Sequence, residues 1–140
     1  MDPVSAVGLV ASILTLVQTT MSLIEYLNAT KDAPKESKGF LHEVLSLAVI
    51  LDTLRSKVRD EDPTAPWVKQ VSLLAVEGGP LDQFRSSIEQ LDRKLKTGAK
   101  VQMFGRALLW PLTKKDISEL LVKVERLKST IEIALHHDHL

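Results

Sequence analysis

Between Pro3 and Ile24 the chain reads PVSAVGLVASILTLVQTTMSLI, and none of these twenty-two side chains carries a charge; Asp2 precedes the run and Glu25 follows it. As a helix it would be roughly 33 Å long, close to the hydrocarbon thickness of a bilayer and equally suited to the central helix of a soluble bundle. The rest of the chain has to accommodate one of those two surroundings, or both in turn.

The run has internal order. Ser5, Gly8, Ser12, Thr15, Thr19 and Ser22 recur at alternating steps of three and four, which aligns them as one stripe of small or hydroxyl-bearing residues. Val7, Val10, Ile13, Leu14, Val17, Met21 and Ile24 cover the opposite arc, wide enough to be a core face. Small residues permit close helix approach, and in lipid their hydroxyls bond between helices. The stripe is therefore expected to pack on a neighbouring helix, and the other helices to surround this one.

At 140 residues the chain is sized for a single domain, 1–140, with one core. Six aromatic residues leave that core to Leu, Val and Ile. Eighteen basic residues balance eighteen acidic ones, which argues against a dedicated nucleic-acid binder, and the absence of cysteine excludes a disulfide framework. A cleaved secretory signal is not expected, because the start carries Asp2 instead of positive charge and the apolar run is long. Were the run to insert in a membrane, Lys31, Lys35 and Lys38 would hold its far end on the cytoplasmic side.

Asp2 followed by Pro3 is a helix start, and the first helix is expected to reach about Leu27 or Asn28. A second helix is predicted from about Pro34 to Arg59, with Phe40, Leu41, Val44, Leu45, Ala48, Leu51, Leu54 and Val58 inward. Pro66 and Trp67 open a short helix to about Ala75, and Gly78, Gly79 and Pro80 stop and restart the chain. A third long helix places Leu81, Phe84, Ile88, Leu91 and Leu95 on one side and is expected to end at Thr97 and Gly98. Lys100 to Trp110 reads as a short helix or an irregular piece. The last helix starts at Thr113, with Asp116 completing a relaxed capping box, and carries Ile117, Leu120, Leu121, Val124, Leu127, Ile131 and Leu135 as its seam. No segment alternates with period two, so the fold class is all-α, an up-and-down four-helix bundle with one or two additional short helices.

Catalytic chemistry has little support. There is no cysteine nucleophile and no phosphate-binding glycine loop, and the serines of the first helix have no histidine in sequence reach. His136, His137, Asp138 and His139 are adjacent rather than spaced as metal ligands, and Asp60, Glu61 and Asp62 read as a solvated turn. No enzyme, cofactor or metal site is expected. One further feature stands out: Arg93, Lys94, Lys96, Lys100, Arg106, Lys114 and Lys115 occur with no acidic residue among them. They are interleaved with Val101, Met103, Phe104, Leu108, Leu109 and Trp110, a mixture that suits an anionic membrane surface. The two indole N–H groups, of Trp67 and Trp110, are expected to find acceptors at the ends of the core.

Several stretches together carry a resemblance: MDPVSAVGLVASILTLVQTT at the start, then EYLN and KDAPKE, PWV at Pro66 to Val68, EGGPLDQF at Glu77 to Phe84, ALLWPL at Ala107 to Leu112, and VERLKSTIEIAL near the end. Over nearly its whole length the chain resembles the HeLo-like N-terminal domain of fungal STAND (NOD-like receptor) proteins. That family is related to the four-helix bundle of the mixed-lineage kinase-like necroptosis executor. The resemblance implies a membrane-targeting, pore-forming executor of regulated cell death in heterokaryon incompatibility and innate immunity. It also implies a cytoplasmic resting state, a homo-oligomer at the plasma membrane on activation, anionic lipid as partner, no nucleic acid, and a nucleotide-binding or amyloid-motif region downstream. On that reading Val4, Val7, Gly8, Val10, Ile13, Leu14, Val17, Met21 and Ile24 form the inserting helix. Arg93, Lys94, Lys96, Lys100, Phe104, Arg106, Trp110, Lys114 and Lys115 form the surface that meets the headgroups. The competing reading is a soluble helical adaptor or oligomerisation module that never touches lipid.

Overall fold

Proline and glycine set the helix boundaries in the computed structural model, which describes residues 3–30, 33–62, 64–102 and 110–137, with side chains at 7–30, 33–62, 64–95 and 110–136. Five helices result: α1 (Pro3–Asn28), α2 (Glu36–Asp60), α3 (Pro66–Leu74), α4 (Pro80–Gln102) and α5 (Lys114–His137), with no strand among the described residues. The cap expected from Asp2 lies outside the described residues, as does Lys31. Pro66 and Pro80 each open a helix, where the missing N–H is no loss. Between α3 and α4 the chain reverses through Gly78, whose φ of +77° suits glycine, and Gly79, where an added Cβ would lie 2.9 Å from the Val76 carbonyl oxygen. The turn is tied to α4, since the Gly78 N–H donates to Asp82 Oδ2 at 2.9 Å and Gln83 Nε2 donates to the Gly78 carbonyl at 2.9 Å. That Gly78 bond, and after it the Arg85 guanidinium, holds the Asp82 carboxyl below its ordinary range.

The expected capping box is formed. The Thr113 N–H donates to Asp116 Oδ2 at 2.9 Å, and the Asp116 N–H donates to Thr113 Oγ1 at 3.1 Å. Thr113→Ala is expected to cost about 1 kcal/mol in a thermal or urea melt. The Thr113 N–H, and further down the Lys94 ammonium, hold the Asp116 carboxyl below its ordinary value of 3.8. A depressed carboxylate stabilises the fold above its unfolded-state value, and that contribution is lost as pH falls further through the folded-state value. Asp116→Asn is accordingly expected to show a shallower loss of stability than the parent as pH falls below about 5; parallel curves would contradict this.

The expected stop at Thr97 and Gly98 does not occur, because α4 continues to Gln102. A glycine inside a helix costs only about 1 kcal/mol relative to alanine and removes no hydrogen bond. With no proline in the way, the helix takes in Lys100 to Gln102, which the sequence reading assigned to a separate piece; residues 103–109 of that piece lie outside the described residues.

The middle of the molecule belongs to α2. Phe40, Val44, Leu47, Leu51, Leu54 and Val58 follow steps of four and three and are all essentially buried. Leu45, expected inward, is 38% exposed, while Leu47, not expected, is fully covered. A seam spaced this way has room for one row, and Leu45 stands a helical step away from it. α2 packs on α1 and on α5, α5 packs on α4, and α4 returns to α1, with α3 filling in against α1, α4 and α5. The seams expected of the later helices hold: Phe84 and Ile88 on α4, and Leu120, Val124, Leu127 and Ile131 on α5, are buried. Lys94 Nζ lies 3.3 Å from Asp116 Oδ2 and Lys123 Nζ lies 2.6 Å from Ser87 Oγ, so α4 and α5 run antiparallel.

Candidate functional site

The expectation that the other helices surround α1 is not met. Leu9, Ile13, Leu16, Thr20, Leu23, Ile24 and Leu27 are buried, and the other side of the helix is open. Val7 is 69% exposed and Leu14 36%; Gly8, Ala11, Ser12, Thr15, Gln18 and Ser22 are exposed as well. The stretch Val7–Asn28 is long and apolar enough to cross a membrane, and only 33% of its most apolar window is buried. Burial stabilises in proportion to apolar area removed from water, so the Leu and Ile row goes inward and the small residues are left outside.

This divides the predicted inserting residues. Ile13 and Ile24 belong to the core, Val10, Val17 and Met21 are half-buried on its flanks, and Val7, Gly8 and Leu14 face outward. The Val4 side chain lies outside the described ones. The broad arc read from the sequence as the core face is therefore corrected, because Leu9, Leu16, Leu23 and Leu27 form much of the true seam.

The stripe of small residues is corrected too. Gly8, Ser12, Thr15 and Ser22 are exposed and Thr19 is half-buried, and a Cβ added at Gly8 would meet nothing within 4 Å. The described part of the stripe is not covered by a neighbouring helix; α4 reaches only one edge of it, where Arg85 lies beside Ser12, Thr15 and Thr19. The threonine hydroxyls instead bond their own helix. Thr15 Oγ1 donates to the Ala11 carbonyl at 3.0 Å, Thr19 to Thr15 at 3.0 Å and Thr20 to Leu16 at 2.7 Å. Of the polar side chains on this outward face, those of Thr15 and Thr19 are thus partnered without water, as a helix entering hydrocarbon requires, whereas Ser12, Gln18 and Ser22 rely on solvent at rest.

The basic and aromatic residues fall partly in view. Arg93 and Lys94 near the far end of α4 meet Lys114 and Lys115 at the start of α5, brought together by the Lys94–Asp116 pair. Lys115 reaches Glu119 only at 3.9 Å, and both are largely exposed. Lys96 and Lys100 are on α4 with side chains outside the described ones, and Phe104 and Arg106 lie outside the described residues altogether. Trp110 does not stand out as an interfacial side chain. It packs on the core with its ring edge-on to Phe40, centroids 6.4 Å apart at 89°. Contrary to expectation, neither the Trp67 nor the Trp110 indole nitrogen, both buried, has a hydrogen-bond partner among the described residues. A second pair of cations, Lys123 and Arg126 on α5, borders a groove against α4 and is not among the residues expected from the sequence. Their spacing of three on a helix that also carries Val122 and Leu127 was the available signal.

Among the described residues the arrangement is all-α, and its one helix both long and apolar enough to cross a membrane is only partly covered by the rest. The chain belongs to the family described as pigment biosynthesis cluster protein PigL N-terminal, which it matches over residues 1–140. No curated protein and no solved structure matches it.

Proposed function

We propose that the chain is a HeLo-like executor domain: an up-and-down four-helix bundle of α1, α2, α4 and α5, with α3 as the additional short helix, that acts on membranes and catalyses no reaction. At rest it is cytoplasmic, with the Leu and Ile row of α1 in the core. Clustering by a downstream receptor or amyloid-motif region raises the local concentration of copies and offsets the burial lost when α1 leaves. The released helices then enter an anionic plasma membrane as a homo-oligomer, with Arg93, Lys94, Lys114 and Lys115 among the cations held at the headgroups. The observation that carries this reading is the outward face of α1, which is exposed from Val7 to Ser22 and yet carries no charge. A face meant only for water is normally populated by Glu and Lys.

The purified domain is expected to release dye from anionic liposomes, less from neutral ones, and less when residues 1–20 are removed. Equal release from neutral vesicles would refute it, as would full activity of the shortened chain. The adaptor reading is favoured by one observation, the depth at which Ile13 and Leu23 are buried, each 1% exposed. On that reading forced clustering leaves the domain in the soluble fraction.

A further inference from the structure

Away from α1, the groove between α4 and α5 encloses about 640 Å³, within the range of roughly 300–1,000 Å³ over which proteins hold small ligands. Its surface is mainly apolar, although only Pro80, Val122 and Leu127 of the lining residues are apolar and Leu127 is itself nearly covered, and it contains no aromatic side chain. The part of α5 that borders it, from Glu119 to Thr130, rises over roughly 16 Å, so the groove is elongated. A narrow apolar trough without a stacking surface suits an alkyl chain better than a flat ring system.

Charge decides which kind of chain. Lys123 and Arg126 stand one turn apart on the groove, and among the described residues neither lies within ion-pair distance of a carboxylate. Lys123 is held at the groove's edge by donating to Ser87 Oγ, which lies outside the lining, at 2.6 Å, and its other N–H donors are left free. Ser129 adds a hydroxyl nearly one turn beyond Arg126, while the one acidic member, Glu119, sits about one turn before Lys123 and has Lys115 at 3.9 Å. We infer that this groove binds a single-chain anionic amphiphile, its phosphate or carboxylate head at Lys123 and Arg126 and its chain along Val122 and Leu127. The inference stands apart from the release of α1, since it concerns a lipid monomer taken up by the folded domain.

The test is titration of the 140-residue chain with lysophosphatidate below its micelle concentration, without vesicles, followed by calorimetry. The parent is expected to bind one equivalent, and the Lys123→Gln and Arg126→Gln variants each to bind about tenfold more weakly. Val122 is 49% exposed, so Val122→Trp is expected to keep the helical circular dichroism while filling the trough and abolishing binding. A neutral monoacylglycerol is expected to bind at least about tenfold more weakly than lysophosphatidate, and inorganic phosphate not to displace it. Absence of binding by the parent, equal binding by all three variants, or displacement by phosphate alone would each overturn the assignment.

Discussion

Leu14→Lys is expected to leave the domain folded and to abolish its action on membranes, whereas Ile13→Lys, one residue earlier, is expected to unfold it. Leu14 is 36% exposed, and a lysine there can lay its stem along α1 and keep its ammonium in water, so stability should change by less than about 1 kcal/mol. In lipid the same ammonium sits near the middle of the uncharged run Pro3–Ile24. Replacing Leu by Lys near the centre of a spanning helix shifts insertion by about 3 kcal/mol, more than about a hundredfold for each copy. Ile13 is 1% exposed and has no water to retreat to. An unpaired charge buried there costs several kcal/mol, a large fraction of the ~5–15 kcal/mol that holds an ordinary domain together. Thermal melts and dye release from anionic vesicles separate the outcomes. Parent-level release by the folded Leu14→Lys protein would remove α1 from the mechanism and leave the adaptor reading.

Truncating Leu51 to alanine is expected to lower stability by about 2–5 kcal/mol, a fall in Tm of roughly 10 °C for a chain of this size. Leu51 is fully buried on α2, the helix that holds α1 on one side and α5 on the other, so a cavity there loosens both contacts. Val49→Ala, on the same helix but at a site 58% exposed, should stay within about 0.5 kcal/mol. The comparison also tests the register of α2, because a seam through Leu45 and Val49 would reverse the order of the two effects.

The seams of α4 and α5, the Thr113–Asp116 box and the Gly78–Gly79–Pro80 reversal were legible in the sequence because each rests on local contrast: apolar against charged, or one residue type that the backbone demands. α1 lacks that contrast. Where nearly every position is uncharged, periodicity cannot choose the buried face, and the ordered row of Gly, Ser and Thr looked like a contact although burying it would gain little apolar area. The reach of α4 beyond Gly98 was hidden because glycine weakens a helix without stopping it. The basic stretch looked unopposed because the carboxylate that meets Lys94 belongs to Asp116, just past its end. The groove with Lys123 and Arg126 exists only once α4 lies alongside α5, a pairing that no spacing within either helix announces.

The two indoles, without polar partners among the described residues, give the domain an optical readout of its own opening. With their ring nitrogens covered, Trp67 on α3, which is buried, and Trp110 ahead of α5, which is half-buried, should fluoresce toward the blue, and each should shift red as soon as its surroundings admit more solvent. With one tryptophan at a time changed to phenylalanine, the colour of the survivor would show which part of the molecule parts first when copies are driven together, and whether it does so before or after lipid is reached.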